Sequence, residues 1–68
     1  MLTVEATILR IIADPHDPGG LLVSFEELAA YYRVKGALAD QLRVLSPGTR
    51  LRFEHDIECR IASIDRYH

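Results

Sequence analysis

The sequence predicts a small α+β domain in which three helices precede a C-terminal β-hairpin. Three observations carry this prediction: apolar residues at helical spacing over 3–13, a helix-start signal at Ser24, and alternation of apolar and charged residues over 49–65. The chain has 68 residues, which is the length of a single domain. Hydrophobic residues make up 49% of it and charged residues 26%, so we expect a folded globular protein.

The segment 3–13 fits two kinds of secondary structure. At helical spacing Val4, Ile8 and Ile11 share one side, and Arg10 lies opposite. The β-branched content of the segment favours a strand instead, but at a period of two Arg10 interrupts the apolar face. We therefore predict a helix, and the alternative strand would give the element order β-α-α-β-β.

A second helix is predicted over 25–32. Ser24 and Glu27 have the spacing of a capping box, in which the two side chains accept hydrogen bonds from free amides at a helix start. Val23 and Leu28 have the spacing of the hydrophobic staple that accompanies such a start. The two signals coincide and predict that the helix begins directly after Ser24.

The last part of the chain predicts a third helix and a hairpin. Leucines at helical spacing predict the helix over 36–45, and the Ser-Pro-Gly sequence at 46–48 ends it. The alternation over 49–65 predicts two antiparallel strands joined by a three-residue loop at 55–57. This register pairs apolar residues on one face, namely Phe53 with Cys59 and Leu51 with Ile61.

This order of helices and hairpin resembles a winged helix-turn-helix domain over nearly the whole chain. The apolar and small positions of the helix-turn-helix pattern fall on Leu28, Ala29, Tyr32, Val34 and Leu42, and the hairpin takes the place of the wing. The turn position that usually holds glycine falls on Arg33. Domains with this architecture bind DNA or other proteins, so the resemblance implies a binding module.

The formal net charge of -2 argues against a protein that coats nucleic acid nonspecifically. The charge is nevertheless uneven, with one base and five acids in residues 1–30 and seven bases and five acids in residues 31–68. If the winged fold is correct, five basic residues would contact phosphate: Arg33, Lys35, Arg43, Arg50 and Arg52.

The predicted third helix and the turn before it also offer a surface for a protein partner. The candidate partner-binding residues are Tyr31, Arg33, Lys35, Asp40 and Gln41. Gln41 has the chemistry to address adenine, but Asp40 would repel phosphates. We therefore predict a protein-interaction or self-association module with a role in regulation, and a DNA-binding transcriptional regulator of the winged-helix type is the alternative.

Two groups of residues contain side chains that can bind a metal or transfer a proton. Each group lacks the neighbouring residues that a metal site or a catalytic site requires. The sequence His-Asp-Ile-Glu-Cys at 55–59 offers metal ligands, but zinc sites use paired ligand spacings and no second pair occurs. Asp14, His16 and Asp17 lie in a loop without a neighbouring nucleophile. We expect no catalytic residue, no metal, no cofactor and no small-molecule substrate.

Cellular location is predicted from the cysteine count and from the apolar runs. Cys59 is the only cysteine, so no disulfide forms within the chain and a reducing compartment is expected. No apolar run reaches the ~20 residues that a membrane helix needs. Glu5 interrupts the first apolar stretch, which argues against a signal peptide. We expect a cytoplasmic protein without membrane contact.

Overall fold

Residues 1–66 fold as a five-stranded β-sheet with one short helix. The computed structural model describes residues 1–66 of the chain. The elements in chain order are β1 (Leu2–Ala13), β2 (Leu21–Phe25), β3 (Tyr32–Val34), α1 (Gly36–Arg43), β4 (Arg50–His55) and β5 (Ile61–Arg66). The strands lie in the order β3-β2-β1-β4-β5, and every neighbouring pair in this order is antiparallel.

The long strand β1 pairs with a different neighbour in each half. Its first half pairs with β4, ending where Thr7 lies opposite Arg50. Its second half pairs with β2, from Ile8 to Ala13. A β-bulge between Ile8 and Arg10 lies where the partner changes. Because a bulge bends and twists the strand that carries it, β1 turns there from one half of the sheet into the other.

The two edge strands of the sheet meet and partly close it into a barrel. Arg33 of β3 forms a parallel bridge with Arg60, and the Arg33 N–H donates to the Cys59 carbonyl at 2.8 Å. α1 follows β3, contacts β5 and leads to β4 on the other side of β1. This five-stranded, partly open barrel with its helix between β3 and β4 has the topology of an OB-fold.

Aromatic rings fill the centre of the barrel. Phe25 and Phe53 stack with their ring centroids 4.7 Å apart, and the Tyr32 ring packs nearly perpendicular to both. His55 is also buried and packs against Tyr32 at 4.9 Å. The aliphatic side chains around them are wholly buried: Ile8, Val23, Leu42 and Leu51. The barrel therefore has a core although the chain is short.

The predicted winged-helix arrangement of three helices and a hairpin is wrong, and so is the β-α-α-β-β alternative. Residues 3–13 form a strand, and the bulge explains why their pattern also resembled a helix. Leu9 is the extra residue of the bulge, so the inward positions change from Ile8 before it to Ile11 after it. Arg10 therefore points outward instead of interrupting an inward face.

The helix predicted over 25–32 is absent, and the capping box with it. Ser24 lies in β2 opposite Arg10, and a turn follows before β3 begins. The Glu27 carboxylate accepts a hydrogen bond from the Thr7 N–H at 2.8 Å. This bond joins residues far apart in the chain, so the glutamate serves a tertiary contact and not a local helix start.

The third predicted helix is present as α1, and the predicted hairpin is present as β4 and β5. The hairpin register is different from the predicted one. His55 lies opposite Ile61 and Phe53 opposite Ile64, so the loop contains residues 56–60 and Cys59 is in it. The predicted pair of Phe53 with Cys59 is wrong because Asp56 stabilises a longer loop, as described below.

The Glu27 side chain stabilises the corner of β1, the point at which its pairing changes from β4 to β2. Its carboxylate accepts from the Thr7 amide and hydroxyl and pairs with Arg50 at 2.9 Å. Arg50 also reaches Glu5, at 3.9 Å. The hydrogen bond from the Thr7 amide is the main cause of a Glu27 pKa below the usual 4.5. Desolvation opposes this lowering, and the hydrogen bond from Arg50 adds to it by a smaller amount than desolvation removes.

Replacing Glu27 by Gln is expected to lower the melting temperature by several degrees. The amide has one acceptor oxygen where the carboxylate has two, and it carries no charge for Arg50. Because the folded pKa is lowered, the contribution of Glu27 is present above the unfolded value near 4.5 and is lost as the pH falls through the folded pKa. The difference between wild type and Glu27→Gln should therefore shrink below that pH.

Thermal unfolding followed by circular dichroism at several pH values measures this difference. Glu26→Gln is the matched control, since the Glu26 side chain is exposed and makes no hydrogen bond or ion pair with residues 1–66. An equal loss in the control, or a difference that does not shrink at any acidic pH at which wild type is still folded, would contradict the role given to Glu27.

Candidate binding surface

One face of the sheet carries apolar and basic side chains side by side. Val23 and Tyr32 point into the core, so the residues beside them on their strands point outward. The register places Arg10 opposite Ser24, Ile12 opposite Leu22, and Leu22 opposite Arg33. This surface, termed the β1–β2–β3 face, consists of Arg10, Ile12, Leu22, Ser24 and Arg33.

Large apolar side chains are exposed on this face and at its border. Ile12 is 40% exposed, Leu9 in the bulge is 54% exposed, and Tyr31, directly before β3, is 45% exposed. Leu22 is half-buried between its neighbours. Exposed aliphatic and aromatic side chains next to arginine are a combination typical of protein-binding sites.

A groove of about 280 Å³ borders the face where β3 ends. This β3–β5 groove lies between the β1–β2 loop and the junction of β3 with β5. Its charged lining comes from both sides: Asp14, His16 and Asp17 from the loop, and Arg33, Lys35 and Arg60 from the junction. Arg33 belongs to both the groove and the face, so the two form one continuous surface.

The loop wall of the groove is held by hydrogen bonds within the loop and by α1. The Asp14 carboxylate accepts from the His16 N–H at 2.9 Å, and the Gly20 N–H donates to the Asp17 carbonyl at 2.8 Å. The Arg43 guanidinium, from α1, donates to the Gly19 carbonyl. The loop therefore forms a defined wall despite its two prolines and two glycines.

Asp56 organises the hairpin loop that positions Arg60. Its carboxylate accepts from the Glu58 N–H at 2.9 Å, the Arg60 N–H at 3.0 Å and the Arg60 Nε at 2.9 Å. The Arg60 amide is the main cause of a lowered Asp56 pKa, and the Asp56 carboxylate in turn raises the pKa of Arg60. Arg60 also pairs with Glu58, so its charge is already neutralised within the loop.

Cys59 has a left-handed backbone conformation in this loop, with φ at 60°. It is the only residue other than glycine with positive φ in the described part of the chain. Its N–H donates to the Asp56 carbonyl at 3.1 Å, which closes the turn. Its side chain is partly buried near Tyr32, whose pKa is raised by burial and, to a smaller extent, by the neighbouring thiol.

The five basic residues predicted to contact phosphate are distributed over different parts of the structure. Arg33 and Lys35 lie together in the β3–β5 groove. Arg43 contacts Gly19 and Asp40, at 3.5 Å from the latter, and Arg50 pairs with Glu27 and Glu5. Arg52 lies in register between Glu5 and Asp65. The structure thus brings two of the five together.

The predicted partner-binding residues divide in a similar way. Tyr31 and Arg33 lie at the β1–β2–β3 face, and Lys35 lies in the adjoining groove. Asp40 and Gln41 are exposed on α1 and are not among the residues that define the face or line the groove. Sequence reasoning did not identify Arg10, Ile12 and Leu22 as binding residues, because the helix predicted over 3–13 does not place the first two beside Leu22. A period of two interrupted by one extra residue is the signal that would have found the first two.

The basic side chains on and around this surface differ in whether they form ion pairs with acidic residues. Arg10, Arg33 and Lys35 form no ion pair with any residue in 1–66, whereas Arg43, Arg50 and Arg60 do. The unpaired positive charge in this region is therefore on the face and in the groove.

Comparison with known proteins identifies no family for this chain: no family model, no curated protein and no solved structure matches it significantly. Among residues 1–66, no three potential metal-ligating side chains come close enough to hold a metal ion. None of the helical structure in that range has the length and apolar character needed to cross a membrane.

The left-handed conformation of Cys59 predicts a difference between two substitutions that both remove the thiol. Cys59→Gly should be more stable than Cys59→Ala by ~1 kcal/mol, because a β-carbon is unfavourable at positive φ and glycine has none. Urea unfolding of the two variants at equal m-value measures the difference. Equal stability, or a more stable alanine variant, would show that the hairpin loop has another conformation.

Proposed function

We propose that this protein is a small non-enzymatic binding module that recognises a protein partner through the β1–β2–β3 face. The observation that carries the proposal is the pair of outward aliphatic side chains, Ile12 and Leu22, with Arg10 and Arg33 on either side. The barrel core is already filled by other residues, so these aliphatic groups are not needed to complete it. Burying them against a partner would remove apolar surface from water.

The topology supports the same location by analogy. OB-folds bind their ligands on the face of strands 2 and 3, between the β1–β2 and β4–β5 loops. In this chain those elements form the β1–β2–β3 face and the β3–β5 groove. A fold does not determine a function, so the analogy supports where binding occurs and leaves the ligand to the chemistry of the residues.

A single-stranded nucleic acid is the second candidate ligand. The observation that favours it is the position of the unpaired cations Arg33 and Lys35 in one groove beside an OB-type face. Binding of this kind would weaken steeply with added salt, because cations that neutralise phosphates release counterions. A fluorescent oligothymidylate titrated at ~50 mM and ~200 mM salt tests this candidate directly.

Selection of peptides from a random library displayed on phage tests the proposal for a protein partner. We expect the wild-type protein to enrich peptides whose binding is weakened roughly tenfold or more by Ile12→Glu, since a charge in the centre of an interface is costly. Val44→Glu is the matched control, because Val44 is 79% exposed directly after α1 and belongs neither to the face nor to the lining of the groove. Circular dichroism establishes that each variant is folded.

Peptides that bind both variants as tightly as wild type would place the binding surface elsewhere and contradict the proposal. A library that yields no peptide for the wild-type protein would contradict it as well. Tight, salt-sensitive binding of the oligothymidylate without peptide binding would favour the second candidate.

A further inference from the structure

We propose that the partner presents an extended acidic peptide segment, and that Arg33 and Lys35 bind its carboxylates in the β3–β5 groove. This inference rests on the proposed function and adds the chemistry of the partner. Three observations support it: the spacing of the two cations, their lack of acidic partners among residues 1–66, and the exposed apolar side chains beside them.

Arg33 and Lys35 lie on the same side of one extended segment. Val34 between them is buried, so the side chains before and after it point outward. Lys35 follows β3 with φ -142° and ψ 168°, which continues the extended conformation up to α1. Side chains two residues apart on a strand are separated by ~6.6 Å, and so are alternate side chains of an extended peptide. The two cations thus match two acidic residues at positions i and i+2 of the partner.

The pairing of the cations indicates which of them are available to a ligand. Arg60 lines the same groove, but Asp56 and Glu58 already neutralise it. Arg33 and Lys35 have no acidic partner in the described part of the chain, so binding a carboxylate would break no ion pair there. An arginine also binds a carboxylate through two parallel hydrogen bonds, which adds orientation to the charge attraction.

The opposite wall of the groove favours a peptide over a nucleic acid. Asp14 and Asp17 face the same space as the two cations. A continuous phosphate backbone would bring negative charge close to both carboxylates, and like charges at short range repel. A peptide carries its acidic groups at separate positions and also supplies backbone N–H donors, which carboxylates accept.

The neighbouring face agrees with a peptide as well. Ile12 and Leu22 offer aliphatic contacts, whereas single-stranded nucleic acids are bound by stacking their bases on aromatic rings. Tyr31 is the only aromatic residue among the large exposed apolar side chains of residues 1–66. Arg10 supplies a third cation at the other side of the aliphatic pair. The surface therefore fits acidic residues that flank an apolar one.

Peptides selected on the wild-type protein test this inference through their composition and their affinity. We expect enrichment of aspartate or glutamate at alternate positions next to an apolar residue. Synthetic copies of the selected peptides, measured by fluorescence anisotropy, should bind the double variant Arg33→Glu, Lys35→Glu at least tenfold more weakly than wild type. Replacing the acidic residues of the peptide by their amides should cause a similar loss.

Arg52→Glu is the matched control. Arg52 is an exposed arginine without an ion pair in the described residues, but it lies on β4 outside the face and the groove. The control should bind the peptides as wild type does. Circular dichroism and melting curves establish that the variants are folded.

Three outcomes would overturn the inference, and a fourth would support it while contradicting the proposed function. Selected peptides without acidic residues, or peptides that bind the charge-reversed variant as tightly as wild type, would leave the proposed function in place and remove the acidic ligand. A loss with Arg33→Glu, Lys35→Glu but none with Ile12→Glu would support the acidic ligand and contradict the aliphatic surface of the proposed function. Oligothymidylate that binds more tightly than the peptides and competes with them would assign the groove to nucleic acid.

Discussion

The fold depends on one long strand that belongs to both halves of the sheet. The backbone of β1 is fixed at its corner from several directions: Ile8 N–H donates to the Thr49 carbonyl at 2.9 Å, Gly48 N–H to the Ile8 carbonyl at 2.7 Å, and Glu26 N–H to the Thr7 carbonyl at 2.9 Å. The Glu27 carboxylate accepts from the remaining Thr7 amide. Because buried or bent backbone must keep its hydrogen bonds, these contacts stabilise the point at which β1 leaves β4 and joins β2.

The bulge at this corner also determines which side chains form the surface. Before it Ala6 and Ile8 point inward, and after it Ile11 does so. Without the extra residue, the inward and outward positions of the second half of β1 would exchange. Arg10 and Ile12 are therefore on the outer face as a consequence of the same feature that closes the barrel. The binding surface and the fold share one structural cause.

Sequence patterns predicted the second half of the chain better than the first. α1 and the hairpin depend on local signals, such as leucine spacing and alternation, and both are present. In a bulged strand the side chains alternate between inward and outward positions, but one extra residue shifts the alternation. Over residues 3–13 the resulting spacing of apolar residues matches that of a helix. Glu27 had the correct spacing for a cap, but its hydrogen-bond donor is Thr7, twenty positions earlier. Arg33 and Lys35 were identified as candidates, but their grouping depends on the meeting of β3 with β5, which no local pattern encodes.

The conformation of β1 is the point on which fold and surface both depend, and nuclear Overhauser contacts measure it directly. We expect contacts across strands from Val4 to Phe53 and from Ile12 to Leu22, so that one strand contacts two neighbours. We also expect strong sequential contacts between α-protons and the following amides over residues 3–13. Contacts between α-protons and amides three residues later over the same segment would show a helix, and would contradict both the barrel and the surface built on it.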